Sequence, residues 1–419
     1  MSKRLILLTI GILMLFALSA LATETRVATM GNSGLYLKDD AGMFIYPGTM
    51  SMYQKMVIAE HYSNNDNSDI GPFTYGRYRR VGIVMPAWGT GTLAIFAGEG
   101  TENFNVGGGF NLGFTAPTTR FLVGYGMNTG NSSLGFQVDF SGVRDENNFP
   151  PVQGGTPDVF TASTWGFGFG LSTPMGDLNN LDFGFRLRIG SYESKLDSAT
   201  EVLGNKSDGN MALSFVLRDY YAMNDYMNLI PVGAFAIASE KNREYFGADS
   251  ILFKFNNTAY EFGLALQTKP TENSEIIGGF GYRSSKERSK QFGDASDGDT
   301  LNTDFSESNT ALPFAWLGFE AQVKSWMHFR LGVEKEINSF KRKSEKPVAA
   351  AGADEGRNEY KTTSSPLNYA VGVGFHAGPV TMDAMVENDW INNGPNFLSG
   401  ETTSDGQLFP RITFVYNFK

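Results

Sequence analysis

Arg411-Ile412-Thr413-Phe414-Val415-Tyr416-Asn417-Phe418 sets Ile, Phe, Tyr and Phe on alternate positions, with Arg, Thr, Val and Asn between them. Successive side chains of a strand point to opposite faces, so this stretch has one aromatic-aliphatic face and one mostly polar face. Such a strand suits a wall with lipid on one side and an aqueous or packed lumen on the other. Its near-terminal aromatic matches the signal that barrel-assembly machinery reads. Lys419, following Phe418, departs from the usual terminal aromatic.

The same alternation recurs upstream. Leu367, Tyr369, Val371, Val373 and Phe375 interleave with Asn368, Ala370, Gly372, Gly374 and His376. Between Leu181 and Ile189 the odd positions are apolar, and Asp182, Gly184, Arg186 and Arg188 fill the even ones. Trp165, Phe167, Phe169 and Leu171 alternate with Gly166, Gly168 and Gly170. Further strands are predicted at 132–141, 208–218, 227–239, 255–267, 274–285, 310–323, 326–340 and 379–387. Each approximates the roughly 9 to 11 residues that a tilted membrane strand needs. Short connections at 174–179, 269–273, 324–325 and Gly378 alternate with long polar ones at 144–158, 193–207, 284–308, 341–365 and 388–408. Short turns on the periplasmic side and long loops outside produce that asymmetry.

Before residue 132, strands are predicted at 52–63, 74–85, 91–98, 105–115 and 118–127. The total is odd, whereas a chain with both ends in the periplasm requires an even number. The expectation is an all-β transmembrane antiparallel barrel of 14 strands, with 16 as the alternative. Residues 51–419 form the barrel, residues 23–50 an N-terminal periplasmic or plug segment, and residues 1–22 a signal peptide. In that signal, Lys3 and Arg4 precede an apolar run at 5–18, and Ala20-Leu21-Ala22 supplies the small-x-small cleavage pattern near Ala22. The destination is the cell outer membrane of a Gram-negative-type bacterium.

Composition agrees. There are 49 glycines, 34 phenylalanines and 17 tyrosines, and no apolar run after the signal is long enough for a spanning helix. The absence of cysteine excludes disulfides, thiolate metal sites and an acylated N-terminus. A net charge of -10 argues against a nucleic-acid partner.

After the signal, Arg26-Val27-Ala28-Thr29-Met30-Gly31-Asn32-Ser33-Gly34 and Asp39-Asp40-Ala41-Gly42-Met43-Phe44-Ile45-Tyr46-Pro47-Gly48 resemble the N-terminal signature of the FadL-like outer-membrane superfamily, which includes long-chain fatty acid transporters and PorV-like proteins. Tyr46-Pro47-Gly48 stands where that signature has Asn-Pro-Ala, and the match covers only this N-terminal region. The resemblance implies a 14-stranded barrel, an N-terminal segment folded into the lumen as a plug, and passage of hydrophobic compounds. The same superfamily holds barrels that serve as secretion-system partners. The functional expectation is passive passage of small, hydrophobic molecules; the alternative is a non-transporting anchor or partner for a secretion or cell-envelope system.

A cation on the lipid face near the bilayer midplane costs about 2 to 4 kcal/mol, so strand parity assigns charges to the lumen. It places Asp139, Asp182, Glu261, Glu320, Glu334, Asp383 and Glu387 inside, with Arg186, Arg188, Arg218, Arg283, Arg330 and Arg411. So balanced an interior points to an internal ion-pair network or a polar solute wall rather than a charge-selective pore. Inward glycines such as Gly166, Gly372 and Gly374 leave space for a plug or passage, or allow a closed sheet to bend. Trp326, Trp390, Tyr221, Tyr226 and Tyr416 lie near strand ends, where aromatic girdles belong.

His61, His328 and His376 occur in no recognisable nucleophile motif, so no catalytic residue, cofactor or metal site is expected. Asp294, Asp297, Asp299 and Asp304 lack calcium-loop spacing and read as a solvated loop. Lys341-Arg342-Lys343, at an outer strand end, is either a contact for lipopolysaccharide phosphates or a solvated flank. Expected partners are outer-membrane lipid and lipopolysaccharide, the assembly machinery through the last strand, and a hydrophobic small-molecule ligand.

Overall fold

The computed structural model describes residues 24–31, 34–62, 77–101, 119–147, 158–176, 178–197, 202–207, 209–246, 249–292, 301–345, 357–386 and 409–418. The predicted signal peptide and the predicted strand at 105–115 lie outside these residues.

The chain forms a closed antiparallel sheet. Its strands begin with β1 (Met56–Tyr62), β2 (Arg77–Ala87), β3 (Gly91–Thr101), β4 (Thr119–Thr129), β5 (Ser132–Asn147) and β6 (Asp158–Met175). There follow β7 (Asn179–Asp197), β8 (Val202–Ser207), β9 (Asn210–Asn224), β10 (Met227–Phe246), β11 (Asp249–Thr271) and β12 (Ser274–Phe292). The last are β13 (Leu301–Lys324), β14 (Met327–Glu345), β15 (Arg357–Ser364), β16 (Leu367–Ala377), β17 (Val380–Val386) and β18 (Arg411–Asn417).

Two pairs of these segments are broken single strands. β8 and β9 both lie between β7 and β10. β15 and β16 lie end to end along β14. The barrel therefore has 16 strands, the alternative count, and not 14. β1 closes the ring by pairing with both neighbours, Ile58 facing Val415 of β18 and Gly82 of β2.

Tight turns gather at one end, where Gly130 and Gly378 adopt positive φ (67° and 65°) that a side chain would disfavour. Away from that end the strands run much farther than a bilayer requires: β13 has 24 residues and β11 has 23. Much of what reads as loop at 193–207, 284–308 and 341–365 is therefore strand. These extensions are rich in Ser, Thr and charge, so they carry no apolar alternation; ladder pairing sustains them, as in Ser285↔Asn309 and Lys341↔Lys361.

The outward face is an apolar belt. Phe121, Val123, Phe136, Val138, Trp165, Phe167, Leu217, Phe262, Phe280, Leu317 and Phe414 are all exposed. Across strands the rings meet, as in Phe140 and Trp165 with centroids 4.7 Å apart, and Phe185 and Phe215 at 5.1 Å. Tyr221, Tyr226, Trp326 and Tyr416 are exposed near the tight-turn end, and Trp390 lies outside the described residues.

The opposite face meets the N-terminal segment. A short helix α1 (Glu24–Thr29) contacts β14, β16, β17 and β18. Two 3-10 turns follow at Asp40–Phe44 and Pro47–Met52, the second against β3 to β7. Met30, Leu35, Tyr36, Leu37 and Tyr46 bury among Val216, Ile230, Val232, Phe314 and Trp316. Met43, Phe44 and Met50 bury among Ile58, Val84, Phe96, Leu122 and Val415.

Glycines of the wall make these approaches possible. A Cβ on Gly135 would collide with the Pro47 carbonyl, and one on Gly332 with the backbone of Thr29 and Gly31. By contrast a Cβ on Gly233 would meet only the Phe262 ring, at 3.7 Å. Gly135→Ala should therefore lower stability by about 1–3 kcal/mol, the usual cost of overpacking. Thermal unfolding followed by circular dichroism should show the loss for Gly135→Ala and little change for Gly233→Ala.

Candidate functional site

Charge on the inward face is organised around the N-terminal segment. In the first cluster, Arg330 is fully buried and bonds both Glu320 of the adjacent β13 and Asp383 of β17, which lies beyond β16. Arg26 of α1 enters the same cluster, its Nε donating to Glu320 Oε2 at 2.9 Å and its Nη2 lying 3.4 Å from Glu275 Oε2. Alongside, the Thr25 hydroxyl bonds that of Thr413 at 2.6 Å.

A second cluster joins α1 to the start of the barrel. Arg80 of β2 pairs with Glu60 of β1 and, through Nη2, with Glu24 of α1. Its guanidinium also lies over the Phe44 ring, 3.7 Å from the centroid. In the third cluster, fully buried Arg218 donates from Nε to Asp182 Oδ2 at 2.9 Å and from Nη1 to the carbonyls of Leu35 and Leu37. Arg218 also lies 4.0 Å from the Tyr46 ring centroid. It thus holds the N-terminal segment by main chain and ring at once.

Two further groups belong mainly to the wall. Asp139 bonds Arg120 Nη2 at 2.6 Å and Arg186 Nη2 at 2.8 Å. Arg283 donates to Glu261 at 2.9 Å and Glu336 at 3.0 Å, and lies 3.6 Å from Glu334. The Tyr36 hydroxyl donates to Glu261 at 3.1 Å, tying this group to the segment as well.

Among the residues assigned to the lumen by parity, ten join these clusters: Asp139, Asp182, Arg186, Arg218, Glu261, Arg283, Glu320, Arg330, Glu334 and Asp383. Arg411 is buried and Arg188 half-buried, while Glu387 lies outside the described residues. Glu24, Arg26, Glu60, Arg80, Arg120, Glu275 and Glu336 also take part; Glu275 and Glu336 share the inward parity of Arg283 and Glu334 and were legible by it, whereas Glu60, Arg80 and Arg120 lie in the less regular first strands. Arg80 sits in Arg77-Tyr78-Arg79-Arg80, where charge falls on both parities. Arg26 and Glu24 precede any strand.

His328 and His376 pack edge to face at 4.6 Å, with His328 Nδ1 3.8 Å from Glu320 and His376 Nδ1 bonded to the Thr381 hydroxyl at 3.1 Å. Of the acidic loop, Asp304 is described and pairs with Arg288. Lys341 and Lys343 pair with Glu359, at 2.7 and 3.9 Å, and Arg342 with Glu307.

The N-terminal segment contributes two adjacent buried carboxyls, Asp39 and Asp40. Asp39 caps the first 3-10 turn by accepting from Gly42 N at 3.0 Å. Burial, offset in part by Arg26, pushes its carboxyl up to about 7. Burial and the adjoining Asp39 hold the Asp40 carboxyl well above its ordinary range.

No protein-family model matches the chain, and no curated protein sequence matches it. Solved structures do. They include a FadL homologue of Pseudomonas aeruginosa, at 9% identity over 93% of this chain and 96% of that one, with a TM-score of 0.40. The toluene transporter TbuX of Ralstonia pickettii matches at 9% identity over 94% of this chain and 97% of that one, TM-score 0.37. The ferric yersiniabactin uptake receptor FyuA of Yersinia pestis matches at 7% identity over 87% and 79%, TM-score 0.39.

Two predictions follow from the clusters. Removing one member of a buried ion pair leaves an uncompensated charge and costs about 3–5 kcal/mol. Arg218→Met should lose about that much in denaturant titrations and expose residues 34–53 to protease; Arg218→Met with Asp182→Leu should recover part of the stability. For Asp39, the folded form keeps a proton between the ordinary carboxyl value and pH 7 that the unfolded chain has released. Stability therefore declines as pH rises through that window, with the loss complete above it. Protease protection of the segment should be greater at about pH 5 than at about pH 8 in the wild type, and less pH-dependent in Asp39→Asn.

Proposed function

We propose that the protein is an outer-membrane barrel for passive passage of small, hydrophobic molecules, with its N-terminal segment acting as a plug in the lumen. The observation that carries this reading is the apolar seam between that segment and the first strands. Phe44 lies edge-on to Phe96 with centroids 5.0 Å apart, and both border a void of about 20 Å³ lined also by Arg80, Ala97, Gly98, Arg120 and Leu122. An inner wall whose rings lie beside its filling, and whose two arginines are already engaged by Glu24, Glu60 and Asp139, favours apolar solutes, because a polar solute would shed water there for few replacement partners. The clusters around Arg26, Arg80 and Arg218 would hold the plug against the wall.

Liposomes containing the purified protein should take up a hydrophobic fluorescent probe faster than protein-free liposomes. Deleting residues 23–49 should change that rate. Uptake equal to that of empty liposomes would contradict the transport reading.

The long ion-paired strand extensions favour the second reading, an anchor for another envelope protein, because they present an ordered polar rim well beyond the apolar belt. Arg288–Asp304 and Arg342–Glu307 lie on that rim. Cross-linking in cells from rim positions would then return one stable protein partner.

A further inference from the structure

Outside the lumen, β5 to β8 carry three consecutive outward rungs of changing chemistry. The lowest is apolar, with Phe140 opposite Trp165 and Trp165 opposite Ile189. Above it is a rung of small residues: Gly142 faces Ser163, which faces Ser191, and the two serine hydroxyls lie 3.1 Å apart. Above that comes a charged rung, Arg144 opposite Thr161, Thr161 opposite Glu193, and Glu193 opposite Lys206. The small middle rung leaves a cavity of about 630 Å³, floored by Phe140 and walled by Arg144, Glu193 and Lys206.

The cavity is on the lipid side. Its Phe140, Arg144, Ser163 and Ser191 share parity with exposed Phe136, Val138, Trp165 and Ile189, and Arg144, Ser191 and Lys206 are themselves exposed. It stands where the apolar belt ends and the charged extension begins, on the side away from the tight turns. Arg144 and Lys206 are separated by three strand spacings, about 14 Å, with hydroxyls beneath them. Two cations held apart over a hydroxyl floor suit a large headgroup with phosphate at its edges. Glu193, between them, is placed to accept from sugar hydroxyls.

We propose that this cavity binds the phosphorylated sugar headgroup of an outer-leaflet glycolipid, with acyl chains lying down the Phe140, Trp165 and Ile189 face. The assignment rests on the membrane-barrel reading and is independent of transport.

Full-length protein in neutral detergent would be mixed with lipid A, with the same glycolipid lacking its phosphates, or with inorganic phosphate. Native mass spectrometry then reads occupancy, and circular dichroism confirms the fold of each variant. Lipid A should remain bound to the wild type, and Arg144→Ala with Lys206→Ala should reduce its occupancy at least about tenfold. Lys341→Ala with Lys343→Ala removes the same charge elsewhere and should leave binding unchanged. Equal losses in the two double variants would assign binding to general surface charge and overturn the proposal. So would equal binding of the dephosphorylated glycolipid, or binding of inorganic phosphate without the lipid.

Discussion

A sheet with an apolar outer face in hydrocarbon must leave no main-chain edge, because unpaired N–H and C=O groups have no water to meet them. Everything else in this fold depends on that closure. It is made where β1 joins the last strand, from Met56 opposite Asn417 to Tyr62 opposite Arg411. Closure fixes the parity of every strand, and parity then sends Phe136 or Phe262 outward and Asp182 or Arg330 inward. It also places the first and last strands beside α1, where Glu60, Arg80 and Thr413 meet Glu24 and Thr25.

Charge buried behind such a wall needs partners, and here the segment before the barrel supplies many of them. Glu320 is shared by Arg26 and Arg330, Glu261 by Tyr36 and Arg283, and Asp182 faces an arginine that also holds two carbonyls of the segment. The wall glycines complement this arrangement. They are missing side chains where a neighbouring backbone comes close, as Gly135 does under Pro47 and Gly332 beside Gly31. Polar anchors and close backbone contact therefore act together, each placing the groups that the other requires.

The legible parts of the sequence were those where the two faces differ. β6, β7, β16 and β18 set aromatic or aliphatic residues against glycine or charge, and their alternation appears in the strands. The first strands blur theirs because apolar side chains occupy much of both faces. Ile58, Val84, Ala94 and Phe96 point toward Met43, Phe44 and Met50, and among the described residues only Glu60, Arg80, Thr92 and Arg120 mark the inside with polar groups. The extensions of β12 to β15 hide theirs because both faces are polar. Each of the 16 barrel strands has a predicted counterpart, and one more at 105–115, outside the described residues, made the tally odd; the family resemblance favoured 14 where pairing makes 16. Of the charge clusters, the parity reading named most strand-borne acids and arginines from β5 onward but not Glu60, Arg80 and Arg120 of the first strands, and the partners on α1 become visible only when the chain is folded back on itself.

The closure itself is open to a direct chemical test. The chain has no cysteine, so Ile58→Cys with Val415→Cys introduces the only two thiols, on residues paired across the β1–β18 seam. Paired positions on adjacent strands come within disulfide reach. Mild oxidation of the folded protein in bilayers should form an intramolecular bond in high yield, whereas Ile58→Cys with Leu331→Cys should form none. Failure of the Ile58–Val415 bond in folded protein, or an equal yield from the Leu331 pair, would contradict the closed barrel described here.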